Sequence, residues 1–332
     1  MRANLSDRLL QHYVDKCRAL PWRSPPGSPP PDSYRVWLSE VMLQQTTVAA
    51  VTPRFERFLA RWPTVEALAA ALDEDVLAEW AGLGYYARAR NLIACAREVA
   101  ARGGFPTTEA GLRALPGIGD YTAAAIAAIA FGAHAVVIDA NVERVTCRLF
   151  ALAAPTRGDL RAAVASITPA ERAGDFAQAM MDLGATICRP RAPLCDSCPL
   201  RDDCRAFASG NPERFPAPKA KAAKPVRHGV AQWIERDGAI WLVRRPTKGL
   251  LGGMAALPGP VWTAERQANA PELARVRHVF THFALELAVV AAADPVGEGW
   301  WQPFDTLADA GLPTLYRRAV DAVLTERGRI AA

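Results

Sequence analysis

The apolar positions of the chain keep a helical period as far as residue 205 and an alternating one beyond residue 228. Residues 4–20 read as an amphipathic helix ending at Leu20-Pro21-Trp22-Arg23. The proline-heavy run 24–32 that follows excludes helix and strand. Residues 34–51 predict a helix up to the β-branched Thr46-Thr47, and three helical segments follow between 51 and 99, broken at Trp62-Pro63 and at Gly82-Leu83-Gly84-Tyr85-Tyr86. Leu115-Pro116-Gly117-Ile118-Gly119 is a tight turn running into an Ala-rich helix from about Tyr121. An apolar run, 135–138, then delivers Asp139 to the start of another helix, on which Val142, Val145 and Leu149 recur at helical spacing. No strand-like alternation precedes residue 205, so residues 1–207 form an all-α domain. Residues 208–227 are a Pro/Lys/Ala linker without apolar period. Beyond it, 230–234 and 239–243 flank Asp237-Gly238 as a hairpin, 276–291 read as two strands around Thr281-His282, and a helix over 315–325 closes the chain. Residues 228–332 are thus a smaller α+β domain.

One position breaks the helical pattern. Glu40 lies three and four residues from Trp37 and Val36 and three before Leu43, so it shares the apolar face of its helix. A carboxylate there is mispatterned, satisfied by a buried partner, or functional. Burial raises its pKa and keeps a proton available near neutral pH. Asp139 admits two compatible readings, the N-cap of its helix and a carboxylate held opposite the 115–119 turn, facing a sugar. Gly117 and Gly119 permit backbone angles that a side chain would forbid. With the following helix N-terminus they would form an anion-binding concavity, as a helix-hairpin-helix motif does when it holds a nucleic-acid phosphate. A plain connector between packed helices is the alternative. The 82–86 turn, with Arg88 and Arg90 after it, sets Leu83 and Tyr85 beside positive charge. They are either wedges for a base stack or core residues of a connector.

Composition narrows the class. At 332 residues, 51% hydrophobic and 22% charged, the chain supports two domains with real cores. No apolar run is long enough to span a bilayer and the N-terminus lacks a signal-peptide core, so a cytoplasmic protein without membrane association is expected. A net charge of +5 is compatible with a polyanionic partner. Cysteine usage is more specific: four of seven crowd into Cys188-x6-Cys195-x2-Cys198-x5-Cys204, while Cys17, Cys95 and Cys147 are scattered. In a reducing compartment such a cluster implies a metal centre, zinc or [4Fe–4S], and the single short Cys-x2-Cys pair favours the iron–sulfur cluster. Arg189, Arg191, Arg201 and Arg205 give this loop a basic rim, useful for a phosphate backbone or simply for solubility.

Taken together, Leu20-Pro21-Trp22-Arg23, Ser39-Glu40-Val41-Met42-Leu43-Gln44-Gln45-Thr46, the 82–92 segment, the 115–122 hairpin and the four cysteines resemble the MutY-type adenine DNA glycosylases. These belong to the helix-hairpin-helix, iron–sulfur superfamily shared with endonuclease III. The resemblance runs densely over the first 205 residues and more loosely beyond. It implies base-excision repair by a monomer that hydrolyses the N-glycosidic bond of adenine opposite 8-oxoguanine or guanine in duplex DNA. Glu40 would protonate the adenine, Asp139 would stabilise the oxocarbenium-like sugar, and Tyr121 and Asn141 would orient Asp139 and the sugar. Trp22, Arg23, Gln45 and Gln178 would line the adenine pocket, Leu83 and Tyr85 would enter the stack, and Gly117 and Gly119 would hold phosphate. Cys188, Cys195, Cys198 and Cys204 would carry the [4Fe–4S] cluster. Phe280, Thr281 and His282 would contact 8-oxoguanine from a Nudix-like domain.

Departures from the family are Ala140 for a usual Gly, Thr281 for a usual Ser, and no aromatic near Met254. Residues 262–270 offer no paired glutamates for Mg²⁺, which argues against pyrophosphate hydrolysis. In the endonuclease III branch a lysine occupies position 121. Tyr121 supplies no amine for a Schiff base, so excision without strand cleavage is expected. The rival readings are a bifunctional pyrimidine-damage glycosylase and a non-catalytic DNA-binding module, the latter having no need of Glu40 on an apolar face.

Overall fold

A computed structural model describes residues 4–218, 223–246, 249–266 and 271–330. Parts of the expected linker (219–222) and of the glutamate-poor stretch (267–270) lie outside the described residues. The helices are, in order, α1 (Leu5–Lys16), α2 (Ser33–Leu43), α3 (Val48–Arg61), α4 (Val65–Ala69), α5 (Asp73–Glu79), α6 (Ala87–Arg102), α7 (Glu109–Arg113), α8 (Asp120–Phe131), α9 (Ala140–Phe150), α10 (Arg157–Ala165), α11 (Ala173–Thr186), α12 (Arg205–Ala208) and α13 (Thr314–Ile330). The strands are β1 (Val226–Trp233), β2 (Glu235–Arg236), β3 (Ala239–Arg244), β4 (Ala255–Ala256), β5 (Glu272–Val279), β6 (Ala284–Ala291) and β7 (Gly299–Pro303). All strands among the described residues follow residue 225, as the change of period requires. Residues 1–70 with 91–220 form one compact unit, and 71–90 with 221–332 form a second. No helix among the described residues is long and apolar enough to cross a membrane.

In the first unit α8 is buried over Thr122–Ile129 and packs against α2, α7 and α11. Glycines on α11 allow its close approach to α8 and α9. A side chain at Gly174 would meet the Ala128 carbonyl oxygen at 2.4 Å, and one at Gly184 would meet Asn141 Cβ at 2.6 Å. The helix expected up to Thr46-Thr47 stops slightly before that pair. Helix α2 ends at Leu43, Gln45 takes φ 56°, and the Thr47 hydroxyl caps α3 by accepting from Ala50 N–H.

The second unit holds two sheets. One has the order β1-β6-β5, with β1 parallel to β6 and β5 antiparallel to it. The other joins β2, β3 and β4, with β7 along β3. Asp237 and Gly238 form the expected turn, both at positive φ (49° and 74°) as a two-residue hairpin demands. Its arms differ from the sequence expectation. The segment 230–234 lies mainly in β1 against β6, and only Glu235-Arg236 pairs with β3. Ile234 is the fully buried point where the chain passes between sheets, its carbonyl still accepting from Trp241 N–H. Helix α13, five residues longer at its C-terminal end than the 315–325 pattern predicts, covers the β1-β6-β5 sheet through Leu315, Tyr316, Ala319, Val320 and Val323.

Candidate active site

A cleft of about 810 Å³ opens in the first unit between the end of α1, α2, the N-terminus of α8, the N-terminus of α9 and the face of α11. Glu40, from the inner face of α2, is only 6% exposed and lines the cleft. Burial is the main force on it and lifts its pKa from 4.5 to about 7. The nearby Asp139 charge pushes the same way, while the Tyr121 hydrogen bond and Arg23 oppose. Tyr121 Oη donates to Glu40 Oε2 at 2.7 Å. Its own pKa rises well above the ordinary value through burial and the two carboxylates, so it acts as a donor at neutral pH. The family resemblance has Tyr121 orient Asp139; its hydrogen bond goes to Glu40, because the first turn of α8 packs directly on α2, while Asp139 lies near enough to act on it electrostatically.

Asp139 is both a helix cap and a cleft-lining residue. It caps α9, Oδ1 accepting from Val142 N–H at 2.6 Å, and its carboxylate also lines the cleft. Asn141 Nδ2 donates to Asp139 Oδ2 at 2.9 Å. Arg144 Nη2 in turn donates to Asn141 Oδ1 (2.8 Å) and to the Gly184 carbonyl (2.7 Å), and Arg144 Nε donates to the Cys188 carbonyl (2.9 Å). The carboxylate is therefore fixed through one amide and one guanidinium to α11 and to the start of the cysteine loop. Ala140 is the first residue of α9, where a helical conformation accommodates the Cβ without strain.

Trp22, Arg23, Gln45 and Gln178 also line the cleft. Trp22 is buried edge-on against Phe55, Gln178 is buried on α11 and Gln45 is exposed at the rim. Arg23 is held by Asp182: Nη1 donates to Asp182 Oδ2 at 2.8 Å, and Arg18 reaches the same carboxylate through its backbone N–H (2.9 Å) and Nε (2.7 Å). Desolvation works to raise Asp182's pKa, but the two arginines outweigh it and keep the carboxyl below its ordinary range. Sequence reasoning missed Asp182, Arg18 and Arg157, the last also on the cleft wall. Asp182 carried the same signal as Glu40, a carboxylate inside an apolar helical run, four residues after Gln178.

At the mouth, Gly117 (φ 75°) needs the absence of a side chain twice, since a Cβ there would meet Asn91 Cβ at 2.6 Å. Gly119 does not. It takes an ordinary extended conformation (φ −89°, ψ 179°) with open space around it, and serves as the side-chain-free N-cap of α8. The turn thus leaves the first N–H groups of α8 without a capping side chain, on residues that line the cleft.

Residues 38–170 match the HhH-GPD superfamily of base excision DNA repair proteins and residues 229–322 match the NUDIX domain. The human adenine DNA glycosylase is 36% identical over 86% of this chain and 66% of its own length; that of the mouse is 34% identical over 89% and 74%. The chain belongs to the adenine DNA glycosylase family. It spans somewhat less than two thirds of the human relative. Among solved structures, a thermostable thymine-DNA glycosylase superposes with TM-score 0.56 at 27% identity, covering 61% of this chain and 95% of that one. A trapped endonuclease III–DNA covalent intermediate gives 0.53 at 25%, covering 62% and 94%. The helical glycosylase fold and the Nudix-like fold after it are both those expected from the adenine glycosylase pattern.

In this member of the adenine DNA glycosylases the four clustered cysteines lie beyond the end of α11, and Cys188 acts electrostatically on each of Cys195, Cys198 and Cys204. Among the described residues no three His, Cys, Asp or Glu converge closely enough to hold a single metal ion. Burial pushes the Cys198 thiol up to about 12 and raises Cys195 and Cys204, so a bound cationic centre is what would hold all of them as thiolates. Backbone hydrogen bonds reach the sulfurs, from Leu200 to Cys198 and from Phe207 and Ala206 to Cys204. Arg148, buried on α9, donates to Cys188 Sγ at 3.4 Å and to the carbonyls of Cys188, Arg189, Pro190 and Phe215. This donor set suits a thiolate-bound cluster. Of the basic rim, Arg201 packs on Phe207 and pairs with Asp196, and Arg205 packs over Phe150.

In the second unit the 82–86 turn separates its two candidate wedges. Leu83 is 5% exposed and packs inward, whereas Tyr85, at φ 50°, is 46% exposed. Leu83 is therefore not presented in this structure, because the turn closes on Trp80: Leu83 N–H donates to the Trp80 carbonyl and Trp80 Nε1 to that of Gly84. Tyr85 Oη lies 2.8 Å from Thr281 Oγ1. Thr281 and His282 are exposed at the tip of the β5–β6 hairpin, closed by Phe280 N–H donating to the Phe283 carbonyl at 2.8 Å. Phe280 lies partly buried beneath them.

Proposed function

We propose that this chain removes adenine from duplex DNA where it stands opposite 8-oxoguanine or guanine, hydrolysing the N-glycosidic bond and leaving an abasic site. The observation that carries this is the pairing of two carboxyls in one cleft: Glu40, lifted to about 7 by burial, and Asp139, held by Asn141 and Val142 N–H. The target adenine leaves the stack to enter the cleft. Protonated Glu40 gives its proton to the base, at N7. The C1′–N9 bond then breaks with its electron pair going to the base, which departs neutral. The Asp139 carboxylate stabilises the positive charge left on the sugar. Water adds to C1′, and the proton it sheds restores Glu40. Tyr121, bonded to Glu40, holds that carboxyl in place, while Arg23 and Gln178 border the base.

Position 121 carries no amine, so strand cleavage has no nucleophile there. The test is a duplex carrying adenine opposite 8-oxoguanine. Strand breaks after hot alkali and none before are expected; breaks before alkali, with a covalent adduct trapped by borohydride, would establish the lyase reading instead.

Cys188, Cys195, Cys198 and Cys204 would hold a [4Fe–4S] cluster, which when bound supplies a fixed cationic scaffold for the loop. The purified protein should be yellow-brown with broad absorbance near roughly 400 nm, and Cys198→Ser should lose both colour and iron. A colourless, fully active zinc protein would overturn this assignment. The partner is double-stranded DNA, met by a monomer in the cytoplasm. The exposed tip at Thr281 and His282, paired with Tyr85, supports a role for the second unit in reading the base opposite the adenine.

A further inference from the structure

The Thr281-His282 tip is a two-residue turn, and a turn discriminates bases only if something fixes its height. Hydrogen-bond readout fails when donors stray by about 0.5 Å. The structure provides a column of side chains from the buried face of α13 to that tip. Tyr316, in the core, accepts from Arg245 Nη1 at 2.8 Å. The Arg245 guanidinium lies 4.7 Å from the centre of the Trp262 ring. Trp262 stacks on Phe280 (5.8 Å, 26°) and leans on Phe283 (6.3 Å, 57°), the two residues that flank the tip.

Trp262 reaches this place because two glycines admit it. A Cβ at Gly229 on β1 would sit 2.5 Å from Trp262 Cδ1, and one at Gly259 would sit 2.1 Å from the Val230 carbonyl oxygen. The segment bearing Trp262 is tied to β1 at both ends, by Gln232 N–H to the Pro258 carbonyl (2.7 Å) and by reciprocal His228–Thr263 backbone bonds (2.8 and 2.9 Å). The tip is thus supported from within the second unit.

We propose that Trp262 is a positioning residue for opposite-base recognition: it acts through Phe280 to hold Thr281 and His282 where they meet the base facing the excised adenine. This inference rests on the reading of the tip given under the proposed function. Single-turnover excision is measured for adenine opposite 8-oxoguanine and opposite guanine, using the full chain. Trp262→Ala is expected to lower the preference for 8-oxoguanine at least tenfold, toward that of Thr281→Ala/His282→Ala, with the rate opposite guanine within about threefold of the parent. Trp262→Phe, which keeps a ring against Phe280, should restore most of the preference. Gly229→Ala, which displaces the ring without deleting it, should reproduce the loss.

A preference kept by Trp262→Ala but lost by the tip double variant overturns the positioning role alone. A preference kept by both overturns the reading of the tip. An equal fall on both duplexes, or no rescue by Trp262→Phe, marks Trp262 as merely structural and also overturns the inference. Should Trp262→Ala fail to fold, Trp262→Phe and Gly229→Ala decide by the same ratio.

Discussion

Glu40→Gln is expected to abolish adenine release, by about 10²–10⁴-fold in single-turnover rate, while DNA affinity stays near that of the parent. The amide keeps the shape of the side chain and can still accept from Tyr121 Oη, but it has no proton to give. The parent should lose activity as pH rises through about 7, since only the protonated carboxyl is competent and burial sets its pKa there. Stability runs in the same direction. The folded-state pKa of Glu40, about 7, stands above the ordinary 4.5, so between these values the folded protein keeps a proton that the unfolded chain has released. Its stability therefore falls as pH rises across that window, and the full deficit stands above pH 7. Glu40→Gln removes the deficit. It should melt higher than the parent above neutral pH, by on the order of 1–3 kcal/mol, and show no such gain below pH 4.5. Thermal melts at several pH values check this. Wild-type excision by the variant would end the assignment of Glu40 as the acid.

Asp139→Asn separates capping from chemistry. Asn caps a helix about as well as Asp, and its Oδ1 keeps the bond from Val142 N–H. Its other atom becomes an amide that faces Asn141 Nδ2, a donor facing a donor. Asn141 cannot turn over cheaply, because its Oδ1 already accepts from Arg144 Nη2. A stability loss of about 1 kcal/mol is expected. The excision rate should fall by about 10³-fold, because a neutral amide does not stabilise a developing cation. Calorimetry and single-turnover kinetics on the same preparation distinguish the two effects. A fall in stability with turnover intact would reduce Asp139 to a helix cap.

Much of this was legible along the chain. Glu40 announced itself by standing on an apolar helical face, and the four cysteines by their crowding. The change of period near residue 228 marked where helices give way to sheets, because side-chain burial on a helix and on a strand repeats at different intervals. Local chemistry also fixed Asp139 at a helix start and the turn at Asp237-Gly238, since cap and turn preferences depend on a few adjacent residues.

Tertiary structure decided what each of these groups meets. Tyr121 bonds Glu40 and not Asp139, and Asp182 from α11 holds Arg18 and Arg23 at the far end of the chain's first helix. It turned Leu83 inward and left Tyr85 out, and paired β1 with β6 instead of with its sequence neighbour. It laid Trp262 over Gly229. Periodicity reports which face of an element is buried and says nothing of which other element covers it. That choice is made by close packing between segments distant in sequence, where a missing Cβ at Gly174, Gly184 or Gly229 determines how near two backbones or a ring may come.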